Sequence, residues 1–209
     1  MHYLAIILTV ALIHLLAVMS PGPDFIMILR NSLVYTRRNG IMSALGLASG
    51  IAVHVTYCLL GIALIISKSI LLFSTIKYIG AAYLIWIGYK SLRAGKEEEI
   101  KIVKDGEREL SNWQAWRAGF ITNATNPKAT LFFLSLFTLV IKPTTPLWVK
   151  SIMGVEMVTM TFVWFSIVTL IASHRLIRKK VVKFQYYAER FMGGVLILFG
   201  VKLASEKLH

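Results

Sequence analysis

The apolar residues of this 209-residue chain fall into long blocks separated by short polar connections. A first block runs from about Tyr3 to Leu29, a second from Ile41 to about Ile66, and a third from about Ile70 to Leu92. Beyond the polar segment Arg93 to Asn112, a fourth extends from about Trp113 to Ile141 and a fifth from about Leu147 to Ala172. The sixth, Phe191 to Leu203, is short and reaches full length only by taking in Phe184 to Ala188. A helix needs about 20 apolar residues to cross a bilayer. The pattern therefore predicts an all-α polytopic membrane protein with six transmembrane helices and no separate soluble domain.

Two of the blocks are interrupted without giving way to a loop. Met19-Ser20-Pro21-Gly22-Pro23-Asp24 breaks the first and Asn123-Ala124-Thr125-Asn126-Pro127-Lys128 breaks the fourth. Each proline removes a backbone donor, and unsatisfied backbone groups are costly in hydrocarbon, so such breaks occur where they line a cavity or pack inside protein. Proline favours the first turn of a helix, which predicts restarts at Pro23 and Pro127 with Gly22 and Asn126 as N-caps. Asp24 suits the positive end of a helix. Lys128 has the wrong sign for the same position, so it answers either to Asp24 or to an anionic group of a ligand. The two charges are either a buried pair that fixes packing or the poles of a site.

Composition agrees with a bilayer setting: 56% of residues are hydrophobic and 16% charged. The net charge of +13 does not indicate nucleic acid, because the Lys and Arg residues cluster in connecting segments, as orientation signals and anionic-lipid contacts require. The richest are the linkers after the first, third and fifth blocks. They include Arg30, Arg37 and Arg38 before the turn signal Asn39-Gly40, the solvated acid-and-base segment Arg93 to Asn112, and a basic loop from His174-Arg175 to Lys183. The positive-inside rule then makes these three linkers cytoplasmic and turns both termini outward. Met1-His2-Tyr3 lacks a basic leader region, so the first block reads as a retained span. Cys58 is the sole cysteine and forms no internal disulfide.

Halves of three spans must be inverted relative to each other, and weak internal similarity supports that division. Gly80-Ala81-Ala82-Tyr83-Leu84-Ile85-Trp86-Ile87-Gly88 aligns with Met192-Gly193-Gly194-Val195-Leu196-Ile197-Leu198-Phe199-Gly200. One transporter domain results, with repeat one at 1–92, a cytoplasmic linker at 93–112 and repeat two at 113–209. The broken helices open each half, and the site lies between them near the bilayer midplane, as in secondary transporters. In the second block, Ser43, Gly46, Gly50, His54, Tyr57 and Gly61 share one face, with Gly46 and Gly50 as a GxxxG pair that admits another backbone.

The chain resembles the LysE-type amino-acid exporters, closest to their homoserine/threonine (RhtB) branch. The residues that carry the likeness are Pro21-Gly22-Pro23-Asp24, Arg30-Asn31-Ser32-Leu33, Gly40, Gly46 and Gly50 in the first half, with Gly80-Ala81-Ala82-Tyr83-Leu84 and Gly88. In the second half they are Gly119-Phe120, Asn126-Pro127-Lys128-Ala129 and Phe132-Phe133. The resemblance implies an inner-membrane carrier that expels amino acids, driven by the proton gradient, with the two breaks as substrate and coupling region. Asp24 and Glu156 are the only acids inside predicted spans, which favours a neutral cargo such as threonine, homoserine or leucine. Basic amino acids or another small metabolite are the alternative cargo, and a passive channel is the alternative mode.

A zwitterion needs a cation for its carboxylate and an anion or carbonyls for its ammonium. Lys128 and the amides after Pro23 and Pro127 supply the first; Asp24 and the carbonyls freed by the prolines supply the second. Proton coupling needs a group whose charge changes between the two faces of the membrane. Asp24, Glu156 and His54 are candidates, with His14 a further histidine in an apolar helix. Glu156 lies either on a polar groove with Thr159, Ser166 and Ser173 or at the membrane edge with its carboxylate snorkelling. Arg30 and Asn31 form either a cytoplasmic gate or an anchor. No HExxH, GxSxG or paired-cysteine motif is present, so neither an enzyme nor a metal or cofactor is expected. A homo-oligomer is compatible with the sequence.

Overall fold

A computed structural model describes residues 2–20, 22–68, 70–93, 110–141, 144–172 and 178–205. Among them are eight helices: α1 (His2–Met19), α2 (Pro23–Val34), α3 (Arg37–Lys68), α4 (Ile70–Arg93), α5 (Asn112–Ala124), α6 (Pro127–Val140), α7 (Leu147–Ala172) and α8 (Arg178–Ser205). Arg37–Gly61 and Leu147–Ala172 are each long and apolar enough to cross a membrane, and Tyr3–Met19 with Pro23–Ser32, bent by 59°, makes a third if counted as one broken span. Pro127–Val140 and Gly193–Ser205 are shorter apolar helices.

Both breaks restart as the prolines require. Gly22 caps α2 and Asn126 caps α6, each followed by proline in the first turn. The Asn126 side chain accepts from Lys128 N at 3.0 Å, satisfying one of the amides that a helix start leaves unpaired. Before each break the helix tightens to an i−3 bond, Ser20 N to Ala17 O at 3.1 Å and Asn126 N to Asn123 O at 2.9 Å.

Three boundaries differ from the sequence expectation. Asn39-Gly40 is not a turn but lies in the first turn of α3, which begins at Arg37 rather than Ile41. Thr36 caps it, accepting from Asn39 N at 3.3 Å, and Gly40 is there because a Cβ would strike the Thr169 side chain of α7. The basic loop is shorter than expected, since Arg178 to Lys183 are already helical in α8; unbranched Lys and Arg side chains are good helix formers. The short sixth block is part of a helix running continuously from Arg178 to Ser205. Pro21, Ser173, His174-Arg175 and residues 94–109 of the polar linker lie outside the described residues.

Two cores share α3 and α7 as their long walls. The larger gathers Val10 and Ile13 of α1, Phe133 and Phe137 of α6, and Leu196 of α8; the smaller packs Phe25, Ile28 and Leu29 of α2 on Leu47 and Phe165. The outer surface inverts the arrangement of a water-soluble protein. Leu4, Leu8 and Leu12 form an exposed stripe along α1, while His14, Ser43, His54, Asn123 and Thr161 are each 1% exposed or less. Apolar outside and polar within suits a chain whose solvent is lipid.

Glycines set how closely the helices approach. A Cβ on Gly46 would meet the Trp116 carbonyl of α5, and one on Gly119 would meet the Ser43 carbonyl of α3. The small-residue stripe of α3 therefore serves α5, except that Gly61 has nothing within 4 Å. At the α4–α8 crossing, Gly88 lies against the Gly193 carbonyl and Gly200 against the Ala81 carbonyl.

Candidate functional site

The break between α1 and α2 and the break between α5 and α6 border one cavity of about 60 Å³. Its polar end is formed by Ser20, Gly22, Asp24, Asn123, Asn126 and Lys128. Farther in, the wall is mostly apolar and aromatic, with Phe132, Phe133 and Phe165 beside His14 and Tyr83. Of the residues expected at a substrate site, Gly22, Asp24, Asn126 and Lys128 border this cavity, while Pro23 and Pro127 are exposed first-turn residues beside it.

Asp24 is held by amides. Asn123 Nδ2 donates to Oδ2 at 2.7 Å and Asn126 Nδ2 to Oδ1 at 3.2 Å. Among the described residues these are its hydrogen bonds, an asparagine clamp on the carboxylate. Lys128 Nζ donates to Ser20 Oγ at 2.8 Å and lies 3.5 Å from where a Cβ on Gly22 would stand. Neutral amides thus hold the Asp24 carboxylate, and the Lys128 ammonium meets the Ser20 hydroxyl on the same cavity.

Asn123 is the node that sequence reading missed. Its backbone carbonyl accepts from Asn126 N at 2.9 Å and from His54 Nε2 at 2.9 Å. Because a carbonyl only accepts, His54 carries its proton on Nε2 there. His54 Nδ1 lies 2.7 Å from Tyr57 Oη, and its ring stacks on Phe133 at 5.5 Å. Gly50 makes the arrangement possible, since a Cβ there would collide with Asn123 Oδ1 and Cβ. The legible signal was the pair of asparagines in the break itself, Asn123 in the last turn of α5 and Asn126 at the cap of α6 just before Pro127. Ser20, likewise missed, adjoins the first break.

The other candidates stand apart from the cavity. Glu156 is not on its wall; both carboxylate oxygens are buried with no hydrogen-bond partner among the described residues. Neighbouring Thr159 is exposed, and Ser166 Oγ is buried with no hydrogen-bond partner among the described residues. Asn31 is 4% exposed and donates to Ser43 Oγ at 2.9 Å, which in turn donates to the Ala115 carbonyl at 3.2 Å. That bridge ties α2, α3 and α5 together. Arg30 beside it is exposed.

Residues 15–207 match the family described as LysE type translocator. The chain is 32% identical over 209 residues to a threonine efflux protein of Escherichia coli K12, covering 98% of this chain and 100% of that protein. It is 29% identical to a threonine efflux protein of Salmonella typhimurium, covering 95% and 97% of the two chains. It is also 30% identical to an uncharacterized membrane protein of Vibrio cholerae, covering 98% and 97%. No solved structure matches.

Proposed function

The chain belongs to the LysE type translocator family, and from that membership and the oppositely charged residues on its cavity we propose that it exports a neutral amino acid by alternating access. It is a membrane translocator and not an enzyme. The observation that carries the reading is the convergence of Asp24 and Lys128, one from each broken helix pair, on a single cavity. Threonine is the first cargo to test, because relatives matched over nearly their full length are threonine efflux proteins.

In this reading the carboxylate of the amino acid takes Lys128, which exchanges Ser20 Oγ for it, and the ammonium takes Asp24. Asn123 and Asn126 hold the carboxylate of Asp24 in place throughout. Proton coupling falls to Asp24, which is on the cavity; His54 reaches it through Asn123, and Glu156 is a separate candidate on α7. The six spans form two inverted repeats, 1–92 and 113–209, joined by the linker 93–112, in the bacterial inner membrane with both termini outward. Support comes from the α4–α8 crossing: the alignment that pairs Gly88 with Gly200 and Ala81 with Gly193 turns the Gly88–Gly193 contact into the Gly200–Ala81 contact, and both occur. Arg30 and Asn31 lie at the far end of α2, about 9 Å beyond Asp24 at 1.5 Å per residue, where a cytoplasmic gate would stand.

Uptake of labelled amino acids into inverted membrane vesicles, with and without a pH gradient, tests the proposal. Saturable uptake of threonine that runs uphill only with the gradient is expected. Non-saturable flux that never exceeds equilibrium would make the protein a channel, and no flux for any amino acid would remove the exporter reading.

A further inference from the structure

We propose that His14 reads a hydroxyl group on the side chain of the exported amino acid, so that the deep end of the cavity favours hydroxylated cargo over aliphatic cargo of the same size. The inference rests on the exporter reading above and names the residue that would set its selectivity.

His14 is 0% exposed and borders the cavity. Its Nε2 lies 3.5 Å from Thr161 Oγ1, while Nδ1 has no hydrogen-bond partner among the described residues. Around it the surroundings are rings: the Phe132 and Phe133 centroids are 6.4 Å and 5.6 Å away. A buried ring nitrogen left unpaired among aromatics is costly to keep, and a histidine there solely for packing would be better replaced by phenylalanine. The contrast with His54 is direct, because both of that residue's ring nitrogens are engaged.

Position supplies the second argument. Along α1, six residues separate His14 from Ser20, about 9 Å at 1.5 Å per residue, and Ser20 is where the Lys128 ammonium sits. A zwitterion held at the charged end points its side chain inward past small Ala17, also on the wall, toward His14. Chemistry then selects the group. The Nε2 contact with Thr161 fixes no tautomer, since a hydroxyl both donates and accepts, so Nδ1 is either a donor or an acceptor. A hydroxyl, which donates and accepts through a single atom, matches either. An ammonium only donates, and Asp24, the one acid on the cavity wall among the described residues, lies at the opposite end.

The experiment is counterflow in proteoliposomes with two pairs that differ by one hydroxyl: threonine against valine, and homoserine against 2-aminobutyrate. Wild-type protein is expected to prefer the hydroxylated member of at least one pair. His14→Leu is expected to cut that preference about tenfold, the scale of one hydrogen bond, by slowing the hydroxylated member while the aliphatic one still moves. His14→Gln, which keeps a donor and an acceptor, is expected to restore part of it. Should His14→Leu be absent from the membrane, Thr161→Val and His14→Gln read the same ratio. An absence of preference in the wild type, an unchanged ratio in the variants, or equal loss of both members in every variant would overturn the inference. Failure of the wild type to move any of the four overturns instead the exporter reading beneath it.

Discussion

Replacing Asp24 with asparagine removes one charge and disturbs little else, and the hydrogen bonds around it explain why. The carboxylate accepts from Asn123 Nδ2 at 2.7 Å and Asn126 Nδ2 at 3.2 Å. An amide at position 24 offers one acceptor and one donor, so one clamp residue must turn round. Asn126 cannot, because its Oδ1 caps α6 by accepting from Lys128 N. Asn123 can, because its Oδ1 has no partner among the described residues; rotating that amide lets it accept from the new side chain. Both contacts survive as neutral hydrogen bonds, roughly half as strong as charge-assisted ones, and the stability cost is about 1 kcal/mol. Loss of the ammonium contact is larger, about 1.5–3 kcal/mol, which at 1.4 kcal/mol per decade is about a 10- to 150-fold fall in transport efficiency. Threonine counterflow in proteoliposomes, with membrane content and thermal midpoint measured on the same preparation, checks both parts. Counterflow at the wild-type rate would refute the role of Asp24, and a variant missing from the membrane would refute the rotation of Asn123.

Three further substitutions probe the scaffold. Gly46→Val drives a branched side chain into the Trp116 carbonyl, a backbone atom with nowhere to move, and is expected to lower stability by about 1–3 kcal/mol in thermal unfolding of the purified protein; Gly61→Val, with open space around it, should leave the midpoint unchanged. Asn126→Ala removes an N-cap worth about 1 kcal/mol together with one hydrogen bond to Asp24, so export should fall further than the modest drop in midpoint predicts.

The breaks were legible because proline chemistry is local: Gly22, Pro23, Asn126 and Pro127 could be assigned caps and first turns from residue type alone, and the structure has them there. The face of α3 bearing Ser43, Gly46 and Gly50 was equally readable, since helical periodicity puts such residues in one line. Its partner was not, because α5 meets it from about 70 residues away, as the Ser43 to Ala115 hydrogen bond illustrates. Asn39-Gly40 misled for a related reason: the dipeptide favours turns in isolation, but Thr36 caps a helix through it and Thr169 demands the glycine. The asparagine clamp was out of reach for another. The signs of Asp24 and Lys128 could be read, but not that Asn123 and Asn126 hold the carboxylate and that Ser20 meets the ammonium. Which of several polar neighbours a buried charge chooses is decided by ångström-scale placement that no sequence spacing records.

At the centre stands the claim that Lys128 recognises the carboxylate of a zwitterion whose ammonium faces Asp24. Counterflow of threonine and of threonine amide, which lacks that carboxylate, through wild-type and Lys128→Met protein measures it most directly. Wild-type protein should move threonine at least about tenfold better than the amide, the worth of one charge-assisted contact, and Lys128→Met should erase the difference by slowing threonine alone. Equal slowing of both compounds, or a preference that outlives the substitution, would contradict the account.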